Sequence, residues 1–150
     1  MDGMKVENVT SRVVMLGDNY FESGVIPIAA GATITAGTVL KRNTDGKFAP
    51  VVNTDPIPGT HGTPAAGGGW ATEPTDPIPG DVPAAIMPFD ITNRKDAAAD
   101  FGFRALVQGR VRLDMLRING MPITAAQRDM LREIGILPVK ITDLSQKDNQ

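Results

Sequence analysis

The chain has 150 residues and a formal net charge of -2, from 15 lysine and arginine residues and 17 aspartate and glutamate residues. This balance disfavours a nucleic-acid partner, because such proteins gain affinity by neutralising phosphates with clustered cations. Cysteine is absent and His61 is the single histidine, which excludes disulfides and argues against catalytic triads and histidine metal sites. We therefore expect one domain, no cofactor, no metal and no enzymatic activity.

Glycine (16 residues) and proline (12 residues) are abundant, while aromatic residues make up only 5% of the chain. This composition predicts a small, mainly β body, barrel-like or sandwich-like, with many sharp turns and an aliphatic core. No apolar run has the length of a signal peptide or a membrane-spanning helix. We therefore expect no membrane partner.

The first apolar stretch, residues 9–16, is predicted as a strand, although its apolar residues only weakly favour one face. The turn formers at residues 17–19 follow it, so the segment could detach from the rest. We interpret residues 1–22 as an extended N-terminal arm, with an edge strand of the same domain as the alternative. The residues assigned to the binding face of this arm are Val9, Arg12, Val13 and Met15.

Residues 24–50 carry the clearest β signal, with short runs of valine, isoleucine and threonine. Asp45 and Gly46 are typical of the turn of a hairpin. We expect β structure over the runs 25–28, 33–35 and 38–40, with a hairpin in this part of the chain.

Residues 53–85 hold seven of the twelve prolines and six of the sixteen glycines. We predict one long surface loop here, because prolines remove backbone donors and fix φ. The six residues 54–59 recur as residues 75–80. These copies are predicted to be matching polyproline-like stems that lie side by side, with Trp70 between them as the packing anchor of the loop.

Polar side chains in this loop are assigned ordinary roles. Asp55 and Asp76 are interpreted as turn caps, since two isolated carboxylates fall short of the oxygen ligands that calcium requires. His61 has no acidic or histidine neighbour in sequence, so we expect it to be solvated.

Order resumes with a predicted strand over residues 84–91, in which Pro88 favours an edge position or a bulge. An apolar run over residues 101–107 stops at Gly109. Residues 110–118 alternate like a strand but also fit one face of a helix, so both assignments stay open.

The spacing of Thr124 and Gln127 fits a capping box and predicts the start of a helix. Its apolar stripe holds Met130, Leu131 and Ile134, and Gly135 is predicted to end it. The helix residues expected to face water are Arg128, Asp129, Arg132 and Glu133.

The order of these motifs is similar to that of one protein family. They are Ala30-Gly31, Ala36-Gly37-Thr38-Val39-Leu40, Asp45-Gly46-Lys47-Phe48, Ala84-Ala85-Ile86-Met87, a strand ending at Gly109, and Arg132-Glu133-Ile134-Gly135-Ile136. Together they resemble the head decoration proteins of tailed bacteriophages, of the lambda type. The resemblance covers about residues 24–141 and consists of patterns of small and apolar residues, and the loop over residues 53–85 departs from the compact family pattern.

The resemblance implies a structural cement protein of the virion, made in the host cytoplasm. Such a protein is usually a homotrimer on the outer surface of the expanded capsid, where it clamps neighbouring copies of the major capsid protein. The chain then divides into the arm (residues 1–22), the decoration domain (residues 23–141, with a last strand over 136–141) and a polar tail (residues 142–150).

Two other functions are considered. A β-rich module of a phage tail or fibre that binds a host-surface glycan would have a similar composition. An enzyme would need a catalytic carboxylate pair. Its candidates would be Asp55, Asp76, Asp90 and Asp100.

Overall fold

The structure is a computed structural model that describes residues 15–140, with the backbone alone given for residues 15–18. It is mainly β with one short helix near the end of this range, which confirms the predicted fold class. The strands are β1 (Met15–Ile28), β2 (Thr33–Ile34), β3 (Val39–Arg42), β4 (Phe48–Pro50), β5 (Thr63–Pro64), β6 (Trp70–Thr72), β7 (Ala85–Ile86), β8 (Ile91–Thr92), β9 (Ala99–Arg112), β10 (Arg117–Ile118), β11 (Met121–Pro122) and β12 (Ile136–Val139), and the helix is α1 (Ala125–Glu133).

The main sheet has the order β1-β9-β7-β3-β4, and β12 joins β9 in the parallel direction. The two longest strands of this sheet are β1 and β9, which pair in the antiparallel direction and have 14 residues each. Over residues 15–140 the sheets are open and do not close into a barrel. The main path of the sheet therefore ends at β1 and at β4, and β12 forms a further edge beside β9.

These two ends meet through side chains. Arg42 donates to Glu22 at 2.6 Å, and its guanidinium stacks on the ring of Phe48 at 4.4 Å. A Cβ on Gly24 would collide with the same ring. Glycine at this position therefore lets the Phe48 side chain lie against β1.

The core has two clusters of buried side chains. One lies under α1 and includes Leu131, Leu116 and Ile136. The other surrounds Phe48, whose ring packs edge-on against Phe103 with centroids 5.6 Å apart. Burial of aliphatic and aromatic side chains in these clusters is the main force that holds the short strands together.

The N-terminal boundary differs from the prediction. β1 runs through residues 17–19, where a turn was predicted, and shows a shift in register between Leu16 and Tyr20. Residues 17–19 have no paired residue on β9 and form a bulge opposite Gly109, which agrees with their turn preference. Pairing resumes at Tyr20, so residues 15–22 nevertheless belong to the sheet. Of the residues assigned to the arm, Met15 pairs with Val111. Val9, Arg12 and Val13 lie outside the described residues, so the arm over residues 1–14 stays a prediction.

The later elements follow the prediction in part. The capping box is present, since Gln127 N donates to Thr124 Oγ1 at 3.2 Å and Thr124 N donates to Gln127 Oε1 at 2.9 Å. The strand predicted over 84–91 is instead the two short strands β7 and β8, because Pro88 and the residues beside it leave the ladder.

The segment 110–118 proves to be neither one strand nor one helix. β9 continues through Gly109 to Arg112, a single 3₁₀ turn occupies Leu113–Met115, and β10 follows. The last part of the predicted final strand, Ile141, and the polar tail lie outside the described residues.

Candidate functional site

The loop over residues 53–85 is a long hairpin that stands out from the main sheet. Its two hexapeptide copies lie side by side, as predicted: Ile57 and Ile78 exchange backbone hydrogen bonds of 2.8 and 2.9 Å. Further along, Thr60 and Thr75 exchange two more, both of 3.0 Å. The sequence repeat therefore becomes a structural pairing of one copy with the other.

The pairing of the two stems recurs at every third residue. The bridged pairs are Ile57 with Ile78, Thr60 with Thr75, and Thr63 with Thr72. A β-strand turns the same side to its partner at every second residue, whereas a polyproline helix does so at every third. The spacing supports the prediction of polyproline-like stems, although the stems are joined by more backbone hydrogen bonds than the proline content suggests.

Glycines let the two stems approach closely. A Cβ on Gly62 would lie 2.7 Å from the carbonyl oxygen of Thr72. A Cβ on Gly59 or Gly80 would collide with the backbone of the opposite copy. The glycines of the repeat are therefore required by the contact between the copies.

Asp81 fastens the base of the hairpin to the main sheet. Its carboxylate accepts a hydrogen bond of 2.7 Å from Lys41 Nζ and bonds of 2.9 and 3.3 Å from the amides of Val52 and Asn53. Burial alone would raise the pKa of Asp81, but these three donors together hold the pKa below its ordinary value. A second tie joins Gln127 of α1 to Thr54 at 3.1 Å.

Trp70 lies in β6 beside the hairpin tip, is 49% exposed, and belongs to neither core cluster. Its role as the packing anchor of the loop stays a prediction, and the contacts that tie the base of the hairpin to the main sheet come from Asp81.

The hairpin exposes aliphatic side chains. Ile57 and Ile78 are exposed directly opposite each other, and Val52 and Val82 are exposed near the base. Exposed apolar side chains grouped on one protruding element are typical of an interaction surface.

A second candidate surface is the outer side of β1. Within residues 15–140, β1 has a strand partner only on the side of β9. Tyr20 on this strand is 66% exposed. An unpaired strand edge offers backbone donors and acceptors to an added strand.

A third feature is a cavity of about 390 Å³ at the start of α1. It is lined by Leu113, Asp114, Arg117, Pro122, Ile123, Thr124, Ala125 and Arg128. Arg112 donates two hydrogen bonds to Asp114, of 3.2 and 2.7 Å, and thereby lowers the pKa of that carboxyl group. Nε of Arg128 is buried without a hydrogen-bond partner.

The sequence pattern did not indicate this cavity, and Arg128 was predicted to lie on the water-facing side of the helix. The structure corrects this: Arg128 is half-buried. It lies three residues before the buried Leu131, a spacing that puts the two side chains on neighbouring positions of one helix face. That spacing was the available signal.

The carboxylates considered for catalysis are separately engaged or exposed. Asp90 accepts a hydrogen bond of 2.7 Å from the amide of Ala36, and Asp100 pairs with Lys47 at 2.8 Å. Asp55 and Asp76 are exposed in the hairpin, as is His61. At residue 55 the cap is provided by Asn53, whose Oδ1 accepts from Asp55 N at 3.0 Å.

The part of the chain that the structure describes holds no group of three or more histidine, cysteine, aspartate or glutamate side chains placed to bind a metal ion. In the same range, no helix has both the length and the apolar character that crossing a bilayer demands. Comparisons of the chain with protein-family models, with curated proteins and with solved structures find no match.

Proposed function

We propose that the protein is a capsid decoration protein of a tailed bacteriophage. It would bind the outer surface of the expanded head as a homotrimer at three-fold positions and clamp neighbouring copies of the major capsid protein. The observation that carries this proposal is the outer edge of β1 before Glu22, which has no strand partner within residues 15–140. The edge begins at Met15, directly after residues 1–14, the part of the predicted arm that lies outside the described residues.

A free strand edge suits a clamp. Strand addition gains main-chain hydrogen bonds and makes few demands on the partner's side chains, so one edge can bind an extended segment of a capsid subunit. A single contact of this kind is weak. In a trimer, however, each engaged edge raises the effective concentration of the next, which gives avidity gains of roughly 10²–10⁴.

Two further features support a binding role. The near-neutral charge suits contact with the outer face of a protein shell rather than with packaged DNA. The aliphatic side chains on the hairpin supply exposed apolar contact area.

The test compares the full chain with a variant that lacks residues 1–14, because residues 15–22 pair with β9 and have to be kept. Both proteins are added to expanded and unexpanded heads of a panel of tailed phages, and binding is measured by co-sedimentation and cryo-electron microscopy. We expect the full chain to decorate expanded heads at three-fold positions and the variant, folded by circular dichroism, to bind less. Failure of the full chain to bind any expanded head would contradict the proposal.

A glycan-binding module of a tail or fibre is the second candidate, favoured by the half-exposed Trp70 beside the hairpin tip. An exposed aromatic ring offers an apolar face with a polar edge, which suits the apolar face of a sugar. Binding of the full chain to host cells, lost in Trp70→Ala, would support this function. Binding to heads that is unchanged in Trp70→Ala would support decoration.

A further inference from the structure

We propose that the cavity between Arg117 and Arg128 is a docking site for a carboxylate side chain of another protein chain. Its walls come from three elements: the 3₁₀ turn at Leu113–Met115, the β10 and β11 hairpin, and the first turn of α1. Nothing in the proposed clamp through β1 uses this cavity, so the two proposals can fail independently.

Positive charge is in excess around the cavity. Arg128 Nε is buried and has no hydrogen-bond acceptor within residues 15–140. Arg117 donates through Nη1 to the carbonyl oxygens of Asp114 and Leu116, both at 2.9 Å. These bonds hold the Arg117 guanidinium in place, and its charge is balanced only in part by the Asp114 carboxylate, whose pKa it helps to lower.

Asp114, the one acidic residue that lines the cavity, is already bound by Arg112. Both carboxylate oxygens of Asp114 accept hydrogen bonds from Arg112, at 3.2 and 2.7 Å. Two arginines, Arg117 and Arg128, therefore line the cavity together with one carboxylate that a third arginine, Arg112, already binds. A buried guanidinium N–H without an acceptor is costly, and a second carboxylate would satisfy it with a charge-assisted hydrogen bond.

The start of α1 also favours an anion in the cavity. The first amides of a helix have no partner within the helix, and their dipoles favour a negative group. The capping box occupies the amides of Thr124 and Gln127, whereas Ala125 lies in the lining of the cavity. The helix start therefore adds to the attraction of the two guanidinium groups for an anion.

The surroundings favour a side chain on a protein over a free ion. Leu113, Pro122 and Ile123 give the cavity an apolar wall. Met121, which precedes Pro122 in the sequence, is 65% exposed. Apolar side chains around arginine are typical of protein interfaces, where an aspartate or glutamate brings its own flanking residues against the wall. The cavity is large enough to admit such a side chain together with part of its neighbours.

The test measures binding to the full chain by the NMR signals of arginine Nε–Hε. The probes are N-acetyl-Ala-Glu-Ala-amide, the matched glutamine peptide and inorganic phosphate, and the Arg128 signal is assigned by its loss in Arg128→Lys. We expect the glutamate peptide to shift the Arg128 and Arg117 signals and the glutamine peptide to shift neither. Equal shifts with the two peptides, or tighter binding of phosphate than of the glutamate peptide, would overturn the proposal.

Variants separate the cavity from the rest of the helix. Arg128→Met keeps an unbranched side chain but removes the charge, so binding of the glutamate peptide should be lost. Arg132→Gln is the matched control, because Arg132 is exposed on the same helix, pairs with Asp129 at 3.3 Å and does not line the cavity. If Arg128→Met does not fold, measured by circular dichroism, Arg117→Met replaces it, and unchanged binding in a folded variant of either residue overturns the proposal.

The source of the carboxylate is distinguished by two further measurements. Self-association of the full chain that is lost in Arg128→Met indicates a second copy, and binding to phage heads that is lost in the same variant indicates a capsid subunit. The chain's own tail is the competing source, because Val139 pairs with Arg112 and the chain leaves β12 beside Leu113. The spectrum of the Asp143→Asn protein is compared with that of the unchanged protein, with no peptide added. A difference in the position of the Arg128 signal would overturn the proposal, since it would identify the chain's own carboxylate as the occupant.

Discussion

Ile57 and Ile78 are the fourth residues of two identical hexapeptides, and they hydrogen-bond to each other through both backbone groups. The copies run in opposite directions, so each glycine at the end of one copy lies against the threonine that begins the other or against its near neighbours. The hairpin stem therefore has a local two-fold symmetry that follows directly from the repeat.

The first prediction tests this pairing. Ile57→Pro removes the amide that donates to Ile78, whereas Ile57→Ala removes only an exposed side chain. We expect the proline variant to lower the hydrogen-exchange protection of the Thr60 and Thr75 amides by roughly five- to tenfold, the equivalent of about one hydrogen bond. Unchanged protection in the proline variant would contradict the pairing, and the alanine variant serves as the control.

The second prediction concerns acid. Because the pKa of Asp81 is lowered in the folded protein, its contribution to stability is present above the ordinary aspartate pKa and is lost as the pH falls through the lowered value. We expect the amides of Val52 and Asn53 to lose hydrogen-exchange protection over that acidic range. Protection of these amides that stays constant down to the acid unfolding of the whole chain would count against the assignment.

The third prediction removes the same anchor at neutral pH. Asp81→Asn should lower the stability of the hairpin base by about 1.5–3 kcal/mol, since hydrogen bonds to a charged group are lost. Asp76→Asn, at an exposed position of the same hairpin, should change little. The measurement is hydrogen exchange of the Val52 amide in both variants, and an equal effect of the two would refute the anchoring role.

The fourth prediction concerns the contact between the sheet ends. Gly24→Ala should lower the free energy of unfolding by about 1–3 kcal/mol, because the new Cβ would force the Phe48 ring away from β1. Gly102→Ala is the control, since a Cβ on that glycine would meet no atom within 4 Å. Denaturant unfolding of both variants gives the comparison, and equal stabilities would show that the Phe48 ring yields without cost.

The fifth prediction ranks positions of α1. Leu131→Ala should lower the free energy of unfolding by about 2–5 kcal/mol, because the Leu131 side chain is fully buried between the helix and the sheet core. Thr124→Ala should cost about 0.5–2 kcal/mol through loss of the N-cap. Denaturant unfolding tests the order, and a larger cost at Thr124 than at Leu131 would show that capping outweighs packing in this helix.

Local signals in the sequence predicted local structure well. The capping box of Thr124 and Gln127 and the end of the helix at Gly135, where φ is 90°, depend on residues within a few positions of one another. The repeat predicted the side-by-side stems for a similar reason, because the two identical segments can be recognised directly in the sequence. Such features are independent of the rest of the fold.

Features that depend on distant partners could not be read in this way. The turn formers at residues 17–19 suggested the end of the segment, yet pairing of the residues on both sides with β9, about ninety residues later in the chain, keeps the segment in the sheet and reduces the turn to a bulge. The cavity brings Arg117 together with Arg128 only after the 3₁₀ turn and the β10 and β11 hairpin have formed. The anchoring of the hairpin by Asp81 likewise needs Lys41 from β3. The sequence of the repeat gives no indication of this contact.

The prolines on either side of Ile57 and Ile78 have one more consequence. A segment that pairs with its own copy is also a template for the same segment in a neighbouring molecule, and exposed templates of this kind lead to aggregation. Pro56, Pro58, Pro77 and Pro79 carry no amide hydrogen, so the positions beside the central pair lack the donors that a further strand needs there. We therefore expect this part of the hairpin to resist the addition of a third strand, although its two halves pair with each other.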